Sequence, residues 1–270
     1  MYLEREDVNL YYETYGEGEP LLLIHGVIVD AQLYLQAARL LSGYYQVILY
    51  DRRGNSRSVC RGEKPFSIED QAEDIRVLLD TLGIQKAWIV GTSAGAAVGE
   101  YFLYRYPERV RHLLMYEPAL LGYLMETSGE FREWAGNMER LVEQKKISSA
   151  ILSFSRHIGF EDPRSPQKPE EYSRRMMENF EYALTVEIPG LLQYRPDLDR
   201  MKVNAGKITL AAGEKSGDTV YRQAALTLAE RIGKHALFFP GGHNLPYDLP
   251  KEFAVCVLGT LMLVRSEADF

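Results

Sequence analysis

Short apolar runs alternate with helix-patterned stretches along most of the chain, and this alternation limits the fold more than any other feature. Leu21-Leu22-Leu23-Ile24, Gln46 to Tyr50, Ala87 to Val90, Val110 to Tyr116, Lys207 to Ala212 and Ala236 to Phe239 read as strands. Between them lie helical patterns around Asp30 to Leu41, Ser67 to Leu82, Ser93 to Tyr106 and Tyr221 to Ile232, with a last one from Lys251 to about Val264. Buried apolar strands separated by helices predict an α/β architecture: a mostly parallel, doubly wound sheet. Ser67 with Asp70 three residues on is a helix-start signature, and Gly83 stands where a helix end favours glycine. Val8 to Tyr15 alternates as a half-buried strand does, and Gly16-Glu17-Gly18 after it predicts a hairpin with Leu21 to Ile24.

The rhythm breaks between Ala119 and about Ala205. Two or three helical patterns rich in Met, Phe and Tyr surround a polar loop, Asp162-Pro163-Arg164-Ser165-Pro166-Gln167. We read residues 119–205 as a helical cap inserted over a core made of residues 1–118 and 206–270. With 270 residues, one large domain with an insertion fits better than two independent domains.

The net charge of −7 comes with scattered basic residues and no Lys/Arg block, which argues against nucleic acid or an anionic membrane as a partner. Cys60 and Cys256 lack metal or redox spacing, so no metal is expected. The first residues form no apolar leader, and no apolar run approaches the ~20 residues of a membrane span. The expected setting is cytoplasmic, as a monomer or homodimer acting on a small molecule without a cofactor.

Gly91-Thr92-Ser93-Ala94-Gly95 lies between the apolar run ending at Val90 and the helical pattern from Ala96. A small-residue G-x-S-x-G in that context is what a nucleophile elbow requires, because a sharp strand-to-helix turn exposes a serine hydroxyl beside backbone N–H donors. A base must follow, and five histidines are available. His243, in the glycine-rich Phe239-Pro240-Gly241-Gly242-His243-Asn244 loop after the last strand, sits where open α/β sheets bind ligands. His112 and His235 read as surface groups, and His157 as a satisfied helix residue or a pocket residue. His25-Gly26-Val27 follows an early strand and is placed to give half of an oxyanion hole from Gly26 or Val27, with Ala94 N–H as the other half. His25 itself reads as structural, though it is also a candidate for substrate contact.

Serine elbow, preceding His-Gly, late glycine-histidine loop and the Asp51-Arg52-Arg53-Gly54-Asn55-Ser56-Arg57-Ser58 turn together resemble the α/β-hydrolase superfamily over almost the whole chain. The resemblance implies a serine, acid and histidine triad in that chain order. The Asp51 segment resembles a structural turn and is assigned no chemistry. In many relatives the acid lies about three residues beyond a glycine after the strand that follows the cap; here that position is Ser216, flanked by Glu214 and Asp218. Glu117, at the end of Val110 to Tyr116, is the alternative that we favour. Haloalkane dehalogenases and zearalenone lactonases carry an acid there, and the latter also resemble this chain at Pro240-Gly241-Gly242-His243-Asn244-Leu245-Pro246-Tyr247.

Trp134, Phe154, Phe160, Met176, Met177, Phe180, Tyr182, Leu191, Leu192 and Tyr194 suit a lid over a hydrophobic pocket, with Trp134, Phe154, His157, Phe180 and Tyr194 as candidate substrate contacts. These features lead us to expect a serine hydrolase of a hydrophobic carboxylic ester or lactone. The resemblance makes a macrocyclic lactone one such substrate, and a haloperoxidase-like side activity would use the same residues. Dehalogenation is disfavoured because dehalogenases usually place aspartate where Ser93 stands. The alternative from another class is a small-molecule receptor on a hydrolase fold.

Overall fold

The computed structural model describes residues 1–62, 64–158 and 164–268. Its strands are β1 (Tyr2–Glu4), β2 (Val8–Tyr15), β3 (Pro20–Ile24), β4 (Gln46–Tyr50), β5 (Val59–Cys60), β6 (Ala87–Thr92), β7 (Val110–Tyr116), β8 (Ile208–Gly213) and β9 (Leu237–Phe239). They form one sheet in the order β1-β2-β4-β3-β6-β7-β8-β9, with β5 paired to β2. From β4 to β9 all pairings are parallel, and β1, β2 and β5 add an antiparallel edge. β6 is buried at every residue, which explains its unbroken apolar sequence.

The predicted hairpin does not form. β4 lies between β2 and β3, antiparallel to the first and parallel to the second. Val47 to Tyr50 are all buried, and a place inside the sheet covers both faces of such a strand, as an edge place does not. The turn at Gly16 packs on the loop at Ser42 and Tyr45; an added Cβ there would lie 2.2 Å from the Ser42 carbonyl oxygen.

The core helices are α1 (Leu35–Leu41), preceded by a 3-10 turn at Ala31–Tyr34, α2 (Ile68–Thr81) and α3 (Ala94–Arg105). Ser67 Oγ accepts the Asp70 N–H at 3.1 Å, the cap that the sequence announced. β7 is followed by α4 (Leu121–Thr127), α5 (Gly129–Glu143), α6 (Ile147–His157), α7 (Glu170–Tyr182), α8 (Ile188–Gln193) and α9 (Leu198–Val203), with a π-helical stretch at Ala183–Glu187. This helical insertion holds more helices than its sequence suggested, because Ser128 and Asp197 cap fresh starts within what read as continuous patterns. The Asp162 and Pro163 end of the polar loop, and Phe160, lie outside the described residues. α10 (Val220–Arg231), α11 (Leu245–Asp248) and α12 (Pro250–Ala268) complete the chain. α1 packs on α12 and α2 on α3, the grouping expected if right-handed crossovers put α1 on one face of the sheet and α2 and α3 on the other.

His112 is not a surface group. It points inward from β7, 2% exposed, with Nε2 2.8 Å from Thr209 Oγ1 on β8, and burial holds its pKa down to about 4. His235 is exposed as expected. No helix among the described residues is long and apolar enough to cross a membrane.

Candidate active site

Parallel register brings distant residues to one edge of the sheet. Ile24 pairs with Gly91, Thr92 with Tyr116, Tyr116 with Ala211, and Gly213 with Phe239. The chain therefore leaves β3, β6, β7, β8 and β9 along one rim. His25, Ser93 and Glu117 are each the first residue past a strand, and His243 follows β9 by four. Strand order reverses between β3 and β6, the place where such sheets leave a crevice.

Ser93 sits between β6 and α3 with φ 53° and ψ −125°, a backbone conformation that side-chain-bearing residues rarely adopt. It is pinned on both sides: its N–H donates to Tyr116 O at 3.1 Å, and its carbonyl accepts from the Ala96 and Ala119 N–H groups at 3.0 Å each. The flanking glycines are required by close approach. A Cβ on Gly95 would lie 2.0 Å from Ile24 O, and one on Gly91 would lie 2.5 Å from Gly95 O. Ile28 and Glu117, on neighbouring turns of this rim, also hold positive φ, at 63° and 44°.

His243 Nδ1 lies 2.7 Å from Glu117 Oε2, and Glu117 Oε1 accepts the Gly213 N–H at 2.8 Å. Glu117 is completely buried, and burial alone would raise its pKa. The hydrogen bond and charge of His243, the nearby Ser216 hydroxyl and the Gly213 N–H outweigh that and hold it below the ordinary glutamate value. The position three beyond Gly213 is thus occupied by a hydroxyl beside the carboxylate that comes from β7. Glu214 is exposed, and the Asp218 side chain is 98% exposed beside Arg222, so neither meets His243. The histidine loop is fixed by two tyrosines that the sequence reading missed: Tyr116 OH donates to Gly242 O at 2.6 Å, and the Tyr221 ring lies over the imidazole, centroids 4.8 Å apart.

The segment after β3 packs on the nucleophile: a Cβ on Gly26 would lie 3.0 Å from Ser93 Cβ and 3.5 Å from its Oγ. His25 is fully buried. Its Nε2 accepts the Arg52 N–H at 2.8 Å, its Nδ1 is 2.7 Å from Gly26 O, and burial pushes its pKa well below the ordinary value. It is a neutral strut beneath the loop, which corrects the expectation that it touches substrate.

Ser93 and His243 line a common narrow cleft of about 40 Å³ with Gly26, Val27, Leu33, Phe154, Ile158 and Pro246. No hydrogen bond joins the two side chains; such contacts often tighten only around substrate. Phe154 is the one predicted aromatic contact that lines this cleft, and Phe180 braces it edge-on at 6.1 Å. Trp134 and His157 stack on each other at 3.9 Å, and His157 meets Tyr221 edge-on at 5.5 Å. They form a layer behind the cleft rather than its wall, and burial holds the His157 pKa down to about 4. Tyr194, which follows α8, bonds to Glu100 in the middle of α3 and packs on Tyr101 rather than lining the cleft. Met177 faces solvent. Larger cavities of about 630 and 920 Å³ lie elsewhere and contain none of Ser93, His243 and Glu117. Among the described residues no cluster of His, Cys, Asp or Glu is placed to hold a metal ion.

Strained turns at the carboxyl rim of a doubly wound sheet are where hydrolytic enzymes of this architecture keep their reacting groups. A family model described as alpha/beta hydrolase fold matches residues 19–248, and the chain belongs to that family. It is similar to YraK, an uncharacterised hydrolase of Bacillus subtilis strain 168, with 29% identity over 257 residues covering 93% of this chain and 92% of the relative. Among solved structures it is similar to a Pseudomonas aeruginosa protein provisionally named an epoxide hydrolase, with TM-score 0.78, 22% identity and coverage of 98% and 96% of the two chains. A structure reported with carboxylesterases of Nitrososphaera gargenis gives TM-score 0.75 and 19% identity, covering 99% and 100%. These two structural likenesses establish the fold. The protein is a hydrolase enzyme of the α/β class.

Proposed function

We propose that the protein is a serine hydrolase cleaving an uncharged carboxylic ester, open-chain or lactone, through an acyl-enzyme. The observation that carries this reading is the buried Glu117 carboxylate 2.7 Å from His243 Nδ1, with His243 sharing a cleft with the strained Ser93. Glu117 holds the imidazole so that Nδ1 keeps its proton and Nε2 is free to accept one. Ser93 Oγ attacks the acyl carbon as its proton passes to Nε2. The Ala94 N–H, together with that of Val27 or Gly26, receives the charge on the carbonyl oxygen. Collapse breaks the carbon–oxygen ester bond, and the imidazolium protonates the leaving alcohol. Water then attacks the acyl-serine by the same relay and releases the acid.

An apolar lining favours a neutral acyl group, and the small volume of about 40 Å³ favours a short one. Residues 119–205 act as a cap whose Phe154 closes the acyl side. Intact-mass labelling with a fluorophosphonate tests the reading. One adduct on the wild type, absent from Ser93→Ala, is expected. Absence of an adduct on folded wild type rejects the activated serine and favours a receptor.

A further inference from the structure

Arg52 is the largest of the fully buried side chains; apart from a longer bond to Gln71 Oε1 of α2 at 3.4 Å, its side-chain hydrogen bonds run to the segment beside Ser93. Its Nε donates to His25 O at 2.8 Å and its Nη2 to Gly26 O at 2.9 Å, while its backbone N–H donates to His25 Nε2 at 2.8 Å. A trans peptide is planar, with C=O and N–H pointing in opposite directions. Holding the His25 carbonyl therefore aims the Gly26 N–H away from Arg52, and holding the Gly26 carbonyl does the same for the Val27 N–H. These are the N–H groups that the proposed mechanism needs at the carbonyl oxygen of the substrate.

A buried guanidinium requires a counter-charge, and here it comes from the helical insertion. Glu187 Oε1 is 2.5 Å from Arg52 Nη2, and both side chains are 0% exposed. Glu187 ends the π-helical stretch Ala183–Glu187, just before Pro189, whose missing N–H removes a donor from the regular helix ladder. Such π turns are rare and are frequent at functional sites. A second contact from the insertion reaches the same segment: Asn179 Nδ2 donates to Ile28 O at 3.0 Å.

We propose that Glu187 is a positioning residue: through Arg52 it lets the docked insertion fix the direction of the Gly26 and Val27 N–H groups, so that the oxyanion hole is complete only when the insertion is seated. The proposal rests on the serine-hydrolase reading. Glu187 is sealed from solvent and is not among the residues lining the cleft, so its effect is on turnover rather than on substrate affinity.

The test compares wild type with Glu187→Gln and with the double variant Arg52→Met, Glu187→Met, which removes both buried charges and keeps apolar volume, a replacement that buried ion pairs commonly tolerate. Hydrolysis of p-nitrophenyl acetate, the rate of fluorophosphonate labelling and hydrogen exchange of the 25–29 segment are measured. Expected are a kcat and a labelling rate lowered about 10² to 10³-fold, the effect of losing one oxyanion donor. KM should stay within about twofold and exchange in the 25–29 segment should quicken. The double variant keeps the test open where Glu187→Gln does not fold. A folded double variant with kcat within about threefold of wild type, or with unchanged exchange in that segment, overturns the proposal. A wild type that never labels instead rejects the serine reading, and the exchange comparison still decides whether Glu187 orders the segment.

Discussion

Replacing Glu117 with glutamine exchanges one carboxylate oxygen for an amide nitrogen and tests the proposed relay at its least exposed point. Glutamine keeps an oxygen for the Gly213 N–H, now accepted at 2.8 Å by Oε1, and places an NH2 where Oε2 faces His243 Nδ1 at 2.7 Å. An amide N–H can face Nδ1 only if that nitrogen is unprotonated, so the imidazole carries its proton on Nε2. A protonated neutral Nε2 donates and has no lone pair to take the Ser93 proton. In the serine-protease template the analogous carboxylate-to-amide change costs about 10⁴-fold in kcat, or about 5.4 kcal/mol at about 1.36 kcal/mol per tenfold. We expect Glu117→Gln to lower kcat for p-nitrophenyl acetate by about that factor with KM little changed. The fold should survive with reduced stability at neutral pH. Because the Glu117 pKa is lowered in the folded state, its contribution is present above the ordinary value of 4.5 and is lost as pH falls through the folded value. Turnover within tenfold of wild type, or a larger loss in Asp218→Asn or Glu214→Gln, would refute this account.

Gly95→Ala should fail to give soluble folded protein or show a sharply lowered Tm, since its Cβ meets two carbonyl oxygens, Ile24 O at 2.0 Å and His25 O at 2.6 Å; a wild-type melting curve would contradict the packing described. Phe154→Ala should open the cleft and shift kcat/KM from acetyl toward hexanoyl esters by about tenfold or more, consistent with the 1 to 3 kcal/mol that about one methylene in an apolar pocket is worth; an unchanged chain-length profile would count against the acyl site. Glu100 is buried at 2% exposure, and burial, opposed by the Tyr194 hydroxyl, raises its pKa from 4.5 to about 7. Its raised pKa means that the folded state keeps a proton which the unfolded chain loses, so stability declines as pH climbs from 4.5 to about 7. Glu100→Gln should therefore raise Tm at pH 8 relative to wild type, by the equivalent of about 3 kcal/mol at most, and leave the difference small at pH 4.5, as differential scanning calorimetry will read.

The sequence by itself determined which segments become strands and helices in the core, because that information is local. β2, β4 and β7 begin and end where the apolar patterns do, Ser67 caps its helix, and the glycines around Ser93 announce a turn with no room for Cβ atoms. It also brought Ser93 and His243 into view, since each follows a strand whose end must lie on the ligand-binding rim. What only the tertiary structure decided depends on partners far apart in the chain. Glu117 and His243 are 126 residues apart, and although the sequence favoured Glu117, the nearer carboxylates at Glu214 and Asp218 stayed in contention until parallel pairing of β7, β8 and β9 set the rim. β4 came between β2 and β3 because an interior place buries both its faces, a gain that no turn motif at Gly16 encodes. Trp134, His157 and Tyr194 were read as candidate substrate contacts on a lid, but which way a side chain faces is set by its neighbours, and theirs turned these three from the cleft. Nothing in the sequence links Arg52 with Glu187; only the docking of the insertion on the β4 turn removes both from water and pairs them.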